Sequence, residues 1–213
     1  YSRNDGLQNQ SVLYVRDGLD GTPRVLIDPN TWSKDGATAL AEVSPNGDGS
    51  KLAYAVQDGG TDWRIIRLLD VTTGKPLPDE IKWAKFSGGV SWAKDGSGFY
   101  YSRFPEPNQA GTFQSLNKDQ KIYFHTIGTP QSADRLVYAT PAHPEYGHGG
   151  GVSDDGRYFV ITSSVGTDDR YEVNVIDLQS KDKKPKTIFP GFTDNWSYAG
   201  NVGTKFYFLT NKG

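Results

Sequence analysis

The sequence predicts an all-β protein, a segment of a β-propeller made of four-stranded antiparallel blades. Three observations carry this expectation. Turn formers are abundant, with Gly 25 and Pro 12 among 213 residues, and the apolar residues are dominated by Val, Ile, Tyr, Phe and Trp, the types that suit a pleated surface. A unit of apolar strand, Asp/Gly turn and aromatic-rich strand recurs at residues 41–56, 89–103 and 150–163, and more loosely at 199–210. Its turn glycines, Gly49, Gly96, Gly156 and Gly203, are spaced 47, 60 and 47 residues apart, and about fifty residues is the size of one propeller blade. Finally, each unit continues into a second pair of strands, which completes the four that a blade needs.

Taken in order, residues 12–15 and 24–27 read as the last two strands of a blade whose first two are absent. The first whole blade pairs 41–56 with a third strand over 63–71, a turn at 72–75 and a return through 81–83. The second pairs 89–103 with 121–127, closes at Gly128 and returns through 135–139. Its longer spacing is assigned to an insertion at 112–120, where Phe113 and Leu116 sit three apart as on one side of a helical turn; a short helix or structured loop is expected there. The third whole blade runs 150–163, 171–178 and 186–189, and residues 196–209 open another. The sum is half a blade, three whole blades and another half. Rings close with four to eight blades because closure protects strand edges; four blades' worth of strands would make a small ring, and a piece of a larger ring is expected in preference to it. The missing initial Met points the same way.

Charge excludes some classes of function. Lys and Arg total 23 against 25 Asp and Glu, a formal net charge of −2, which is no basis for whole-surface affinity to nucleic acid or anionic membrane. No apolar run approaches the length of a spanning helix, and no signal peptide is visible. With Cys 0 there are no disulfides, thiolate metal sites or cysteine nucleophiles, and the compartment stays open between cytoplasm and periplasm. No cofactor is expected.

The wording of the blades then matters more than their period. Gly6-Leu7-Gln8-Asn9-Gln10-Ser11-Val12-Leu13-Tyr14-Val15, Leu26-Ile27-Asp28-Pro29-Asn30, Gly59-Gly60-Thr61-Asp62-Trp63 and Val90-Ser91-Trp92-Ala93-Lys94-Asp95-Gly96-Ser97-Gly98-Phe99-Tyr100-Tyr101 closely resemble the propeller of prolyl oligopeptidases. Further matching runs are Lys121-Ile122-Tyr123-Phe124-His125, Gly128-Thr129-Pro130-Gln131-Ser132, Val152-Ser153-Asp154-Asp155-Gly156-Arg157-Tyr158 and Thr210-Asn211-Lys212-Gly213. The ordered set covers essentially the whole chain. The resemblance implies a seven-bladed propeller that gates an α/β-hydrolase domain of the same parent protein, a serine peptidase that cuts short peptides after proline. The triad of such enzymes lies in the hydrolase domain, which is absent from residues 1–213, so this segment alone is expected to be inactive. The resemblance also implies two substrate-binding positions. Phe86 matches a phenylalanine that lines the substrate cavity. Thr167 stands where some relatives place a cysteine, which would remove thiol sensitivity. At Gly147 some relatives carry a bulky apolar residue. The alternative is a stand-alone propeller that serves as a protein-interaction scaffold without catalysis.

Other constellations favour structural roles. No Gly-x-Ser-x-Gly elbow is present, and Gly96-Ser97-Gly98 reads as a hairpin turn. His148-Gly149-Gly150-Gly151 resembles an oxyanion-hole sequence but lacks a neighbouring elbow; its glycines are expected where backbones crowd an inner strand. His143 and His148 with Glu145 could be metal ligands, yet a spacing of five across Pro144 fixes no geometry, so they read as loop histidines. His125 is expected to be a packed or half-exposed strand residue. Asp154-Asp155 reads as turn chemistry, 181–186 as a solvated hairpin tip, and Trp63, Trp83, Trp92 and Trp196 as inter-sheet core.

Overall fold

A computed structural model describes residues 1–59, 61–85, 89–107 and 117–213. They form two compact units, Tyr1–Lys82 and Trp83–Gly213.

In the first unit, β1 (Ser2–Arg3), β2 (Val12–Val15) and β3 (Arg24–Ile27) make a three-stranded antiparallel sheet. Two strands were expected here. The third, β1, is two polar residues with no apolar alternation to betray it; it is held by Tyr14 N–H donating to Tyr1 O at 2.8 Å and by stacking of the Tyr1 and Tyr14 rings at 5.6 Å. The next sheet contains β4 (Ala39–Pro45), β5 (Lys51–Gln57), β6 (Arg64–Asp70) and β7 (Pro76–Ala84) in sequential order. Its first hairpin turns on Gly49, whose φ of 72° belongs to the region where a side chain is strained. Within the turn Asn46 Oδ1 accepts from the Lys51 amide at 2.9 Å. Leu13 and Ile27 of one sheet pack with Leu52, Tyr54 and Leu69 of the other, so consecutive sheets meet face to face through alternate residues of their strands.

The second unit repeats the plan. One sheet holds β8 (Ser91–Trp92), β9 (Gly98–Arg103), β10 (Lys121–Thr126) and β11 (Arg135–Tyr138), and the next holds β12 (Tyr146–Val152), β13 (Tyr158–Val165), β14 (Glu172–Asp177) and β15 (Pro185–Phe189). A two-stranded sheet follows, β16 (Trp196–Val202) and β17 (Lys205–Thr210). Strand β13 explains why these sequences look so apolar. Its Phe159 and Ile161 pack with Tyr100 and Ile122 of the preceding sheet, while Tyr158 and Val160 pack with Trp196, Tyr198, Phe206 and Phe208 of the following one. A strand buried on both faces must be apolar at odd and even positions alike. Ring stacking joins the layers, with Phe159 on Tyr100 at 4.2 Å and Phe189 on Trp196 at 3.8 Å.

Trp63, Trp83, Trp92 and Trp196 are all half-buried, since so large a side chain is seldom sealed completely, and Trp196 packs against the buried cluster of the preceding sheet as expected. Of the insertion at 112–120, only residues 117–120 are described, and they carry no helix; the rest lies outside the described residues, as does Phe86. Strand β17 bonds to β16 on one side and exposes Tyr207 and Leu209 at 54% and 71%. Unpaired edges of this kind recruit other strands. The 213-residue chain is therefore expected to self-associate in sedimentation velocity; a monomer insensitive to dilution would contradict this.

Candidate functional site

The glycine-rich strand β12 forms one wall of a cavity of about 490 Å³. The register with β13 sets Gly147 opposite Ser164 and His148 opposite Ser163. Phe104, just after β9, closes the apolar side, and Gln120, Glu145, Ser164 and Thr167 supply polar lining. β12 begins at Tyr146, four residues earlier than the sequence pattern indicated, because glycines present no side-chain alternation to read.

His148 was read as a loop histidine; the structure corrects this. It sits within β12 at 3% exposure. Its ring Nδ1 lies 2.9 Å from Ser163 Oγ and Nε2 lies 3.0 Å from Thr140 Oγ1, while Tyr138 meets it edge-on at 5.0 Å. Its amide N–H donates to Gln120 Oε1 at 2.6 Å, and its carbonyl accepts from Ser102 Oγ at 2.6 Å. Burial pushes the imidazole pKa down to about 4, against a weaker upward pull from Glu172, so the ring is neutral at physiological pH. With both nitrogens engaged by hydroxyls, it cannot join His143 and Glu145 at a metal. It is a fixed, uncharged part of the wall.

Gly147 keeps that wall open. A Cβ there would lie 3.3 Å from Gln120 Oε1 and 3.7 Å from Ser164 Oγ, so a larger side chain would have to point into the cavity or displace Gln120. Thr167 is exposed in the turn after β13. The turn is braced by the Asp168 amide donating to Val165 O at 3.1 Å and by a fork in which Arg170 Nε and Nη2 both donate to the Asp168 carboxylate. Those hydrogen bonds hold the Asp168 carboxyl down at about 2. The structure thus places Thr167 and Gly147 on one cavity.

Two catalytic-looking sequences resolve as scaffold. Ser97 Oγ donates to Asp95 Oδ1 at 2.7 Å inside a hairpin whose Gly96 has φ 69°. The residues 148–151 pair along their whole length with β13, and the His148 amide that faces away from that ladder is taken by Gln120 Oε1, so the run is built as a sheet edge. The glycine at 150 is needed because a Cβ would meet the Phe159 ring at 2.4 Å; the crowding comes from a side chain, where backbone crowding was expected.

One buried polar cluster was not foreseen. His125 is fully buried, with Nδ1 at 2.7 Å from Asp134 Oδ1, and Tyr101 Oη donates to Asp134 Oδ2 at 2.6 Å. Gln131 Nε2 reaches the same hydroxyl at 3.3 Å. Burial, together with the Asp134 carboxylate, pushes the Tyr101 phenol well above its ordinary range. His125 was expected to be a packed strand residue, and it is. Asp134 follows a short 3-10 turn, Gln131–Ala133, and nothing in its sequence surroundings marks it as buried.

These blades are matched over residues 1–213 by the family model for the prolyl oligopeptidase N-terminal β-propeller domain. The chain belongs to that family. Among propellers of this family, a prolyl endopeptidase from Elizabethkingia meningoseptica is 39% identical over 216 residues, with all of this chain and 29% of that protein covered. A solved prolyl endopeptidase, from work on inter-domain dynamics in catalysis and specificity, superposes with a TM-score of 0.86 at 45% identity, covering 99% of this chain and 29% of the other. Prolyl oligopeptidase B from Galerina marginata, solved with a 35mer hydrolysis and macrocyclization substrate, superposes with a TM-score of 0.86 at 28% identity, covering 99% and 32%. The chain spans less than a third of the length of these relatives. Among the described residues no helix is long and apolar enough to cross a membrane.

Proposed function

We propose that this chain is the propeller part of a prolyl oligopeptidase-type serine peptidase. In this reading it gates the active site and forms one wall of the cavity in which short peptides are cut after proline. An α/β-hydrolase domain of the same protein supplies the Ser, His and Asp. The observation that carries the proposal is the match of the whole chain, residues 1–213, to the propeller family, together with relatives named as prolyl endopeptidases of which it spans about 29%.

In this reading the wall acts by shape and polarity, with proton transfer left to the hydrolase domain. A neutral, fully bonded His148 neither gives nor takes a proton near pH 7. Gly147 leaves room for substrate, the Thr167 hydroxyl offers a hydrogen bond at the rim, and Phe86 contributes apolar contact. Contacts remote from the scissile bond raise turnover when they help hold the reacting geometry.

The test is a prolyl-bond cleavage assay with the full-length protein and with the 213-residue chain. Cleavage after proline by the former and none by the latter is expected. Phe86→Ala in the full-length protein should lower kcat/KM several-fold; unchanged kinetics would remove Phe86 from the site. Absence of prolyl cleavage by the full-length protein would overturn the proposal.

A further inference from the structure

The 490 Å³ cavity has an uneven charge. Among the described residues that line it, Glu145 alone carries a formal charge once His148 is held neutral. Other acids of this chain serve their own turns: Asp95 accepts from the Ser97 amide at 3.0 Å, and Asp155 from the Arg157 amide at 3.0 Å. Glu145 has no such duty among the described residues. Its carboxylate is 48% exposed, and its charged neighbour is His143, with Nδ1 at 3.6 Å, a ring that is cationic only when protonated.

No lysine or arginine lines the cavity among the described residues; the buried Lys85 holds its Nζ over the ring of the lining Phe104, 5.6 Å from the centroid, without itself lining the cavity. At the rim, Arg170 is held by Asp168, so the Thr167 turn contributes a neutral pair. Lys118 and Asp119, both exposed, are adjacent and of opposite sign. Behind the wall, Glu172 acts electrostatically on His148, which adds to the negative potential. A cleft with low-dielectric walls concentrates such a field on whatever enters it.

We infer that Glu145 makes this cavity selective for peptides that carry a positive charge, as a Lys or Arg side chain or as a free terminal amine. The inference rests on the peptide-facing reading of the cavity. A half-exposed ion pair in salt is worth at most about 1 kcal/mol, so the preference over a neutral peptide is about two- to fivefold.

The experiment uses the full-length protein and four proline peptides of equal length. Three are acetyl-capped with Lys, norleucine or Glu at the residue farthest from proline on its amino side; the fourth carries norleucine and a free terminal amine. Dissociation constants and kcat/KM are measured for each. Binding is expected to weaken in the order Lys, norleucine, Glu, with the spread shrinking as salt rises. A gain for the fourth peptide identifies the terminal amine as a cation that is accepted. In Glu145→Gln most of the spread among the four should disappear, whereas Asp154→Asn, which removes an exposed acid from a distant turn, should keep it in full. Peptides bound in charge order but not cleaved would overturn the peptidase reading alone. Cleavage without charge order, or a spread undiminished in Glu145→Gln, would overturn the role of Glu145. Binding of none of the peptides would overturn both.

Discussion

Replacing Asp134 by Ala is expected to lower the unfolding free energy by about 3–5 kcal/mol. The side chains of Asp134 and His125 are both fully buried at a separation of 2.7 Å, and the second carboxylate oxygen accepts from Tyr101 Oη at 2.6 Å. Removing the carboxylate leaves an imidazole nitrogen and a phenol without their partner in a place that water does not reach, and each unsatisfied group costs about 1–3 kcal/mol. It also detaches the turn before β11 from β9 and β10, which the cluster ties together. Asp134→Asn retains the shape and one acceptor oxygen and should cost less. Urea unfolding of the two variants checks this. A loss below about 1 kcal/mol for Asp134→Ala would mean that the cluster contributes little.

Acid is expected to destabilise the second unit through His148. In the unfolded chain this imidazole binds a proton near its ordinary value of 6.5, and in the fold only near 4. Between those values the unfolded state holds more protons, so stability is complete above about 6.5, falls as pH drops through the window, and loses nothing more from this group below about 4. At about 1.4 kcal/mol per pH unit the full effect is on the order of 3 kcal/mol. Turn carboxylates such as Asp168, held at about 2, titrate below the window and do not obscure it. Unfolding followed at pH 7 and pH 4.5 should show the loss, and His148→Gln should show much less of it. Equal slopes for the two proteins would mean that His148 is not the cause.

The repeat was legible because each blade restates the same physics: two apolar runs around an Asp/Gly turn, then two more. Strand pairs such as β5 and β6 fall within a residue or two of their expected limits. The departures occur where side chains carry no period. β1 is a Ser-Arg pair, and the start of β12 is hidden by its glycines. The site was harder to read. Resemblance pointed to Thr167, which the fold sets beside Gly147 and Gln120 on one cavity, but Gln120 and Asp134 act through partners far away in sequence. Gln120 meets His148 28 residues later, and Tyr101 meets Asp134 33 residues later. Neither pairing has a spacing that a linear pattern could disclose, and a histidine between Gly147 and Gly149 looks no different whether it is solvated or sealed.

The contact between Gly150 and Phe159 gives this part of the chain a direction in which it can evolve. Phe159 is fully buried and stacked on Tyr100 at 4.2 Å, so its ring cannot swing away from a new methyl group at position 150, which would start 2.4 Å from it. A lineage that first shortens Phe159 gives up packing worth about 3–5 kcal/mol and opens space that a side chain at 150 can later fill. The reverse order passes through a clash. Both substitutions are then accessible only by one route, and a glycine at this position persists for as long as its aromatic neighbour does.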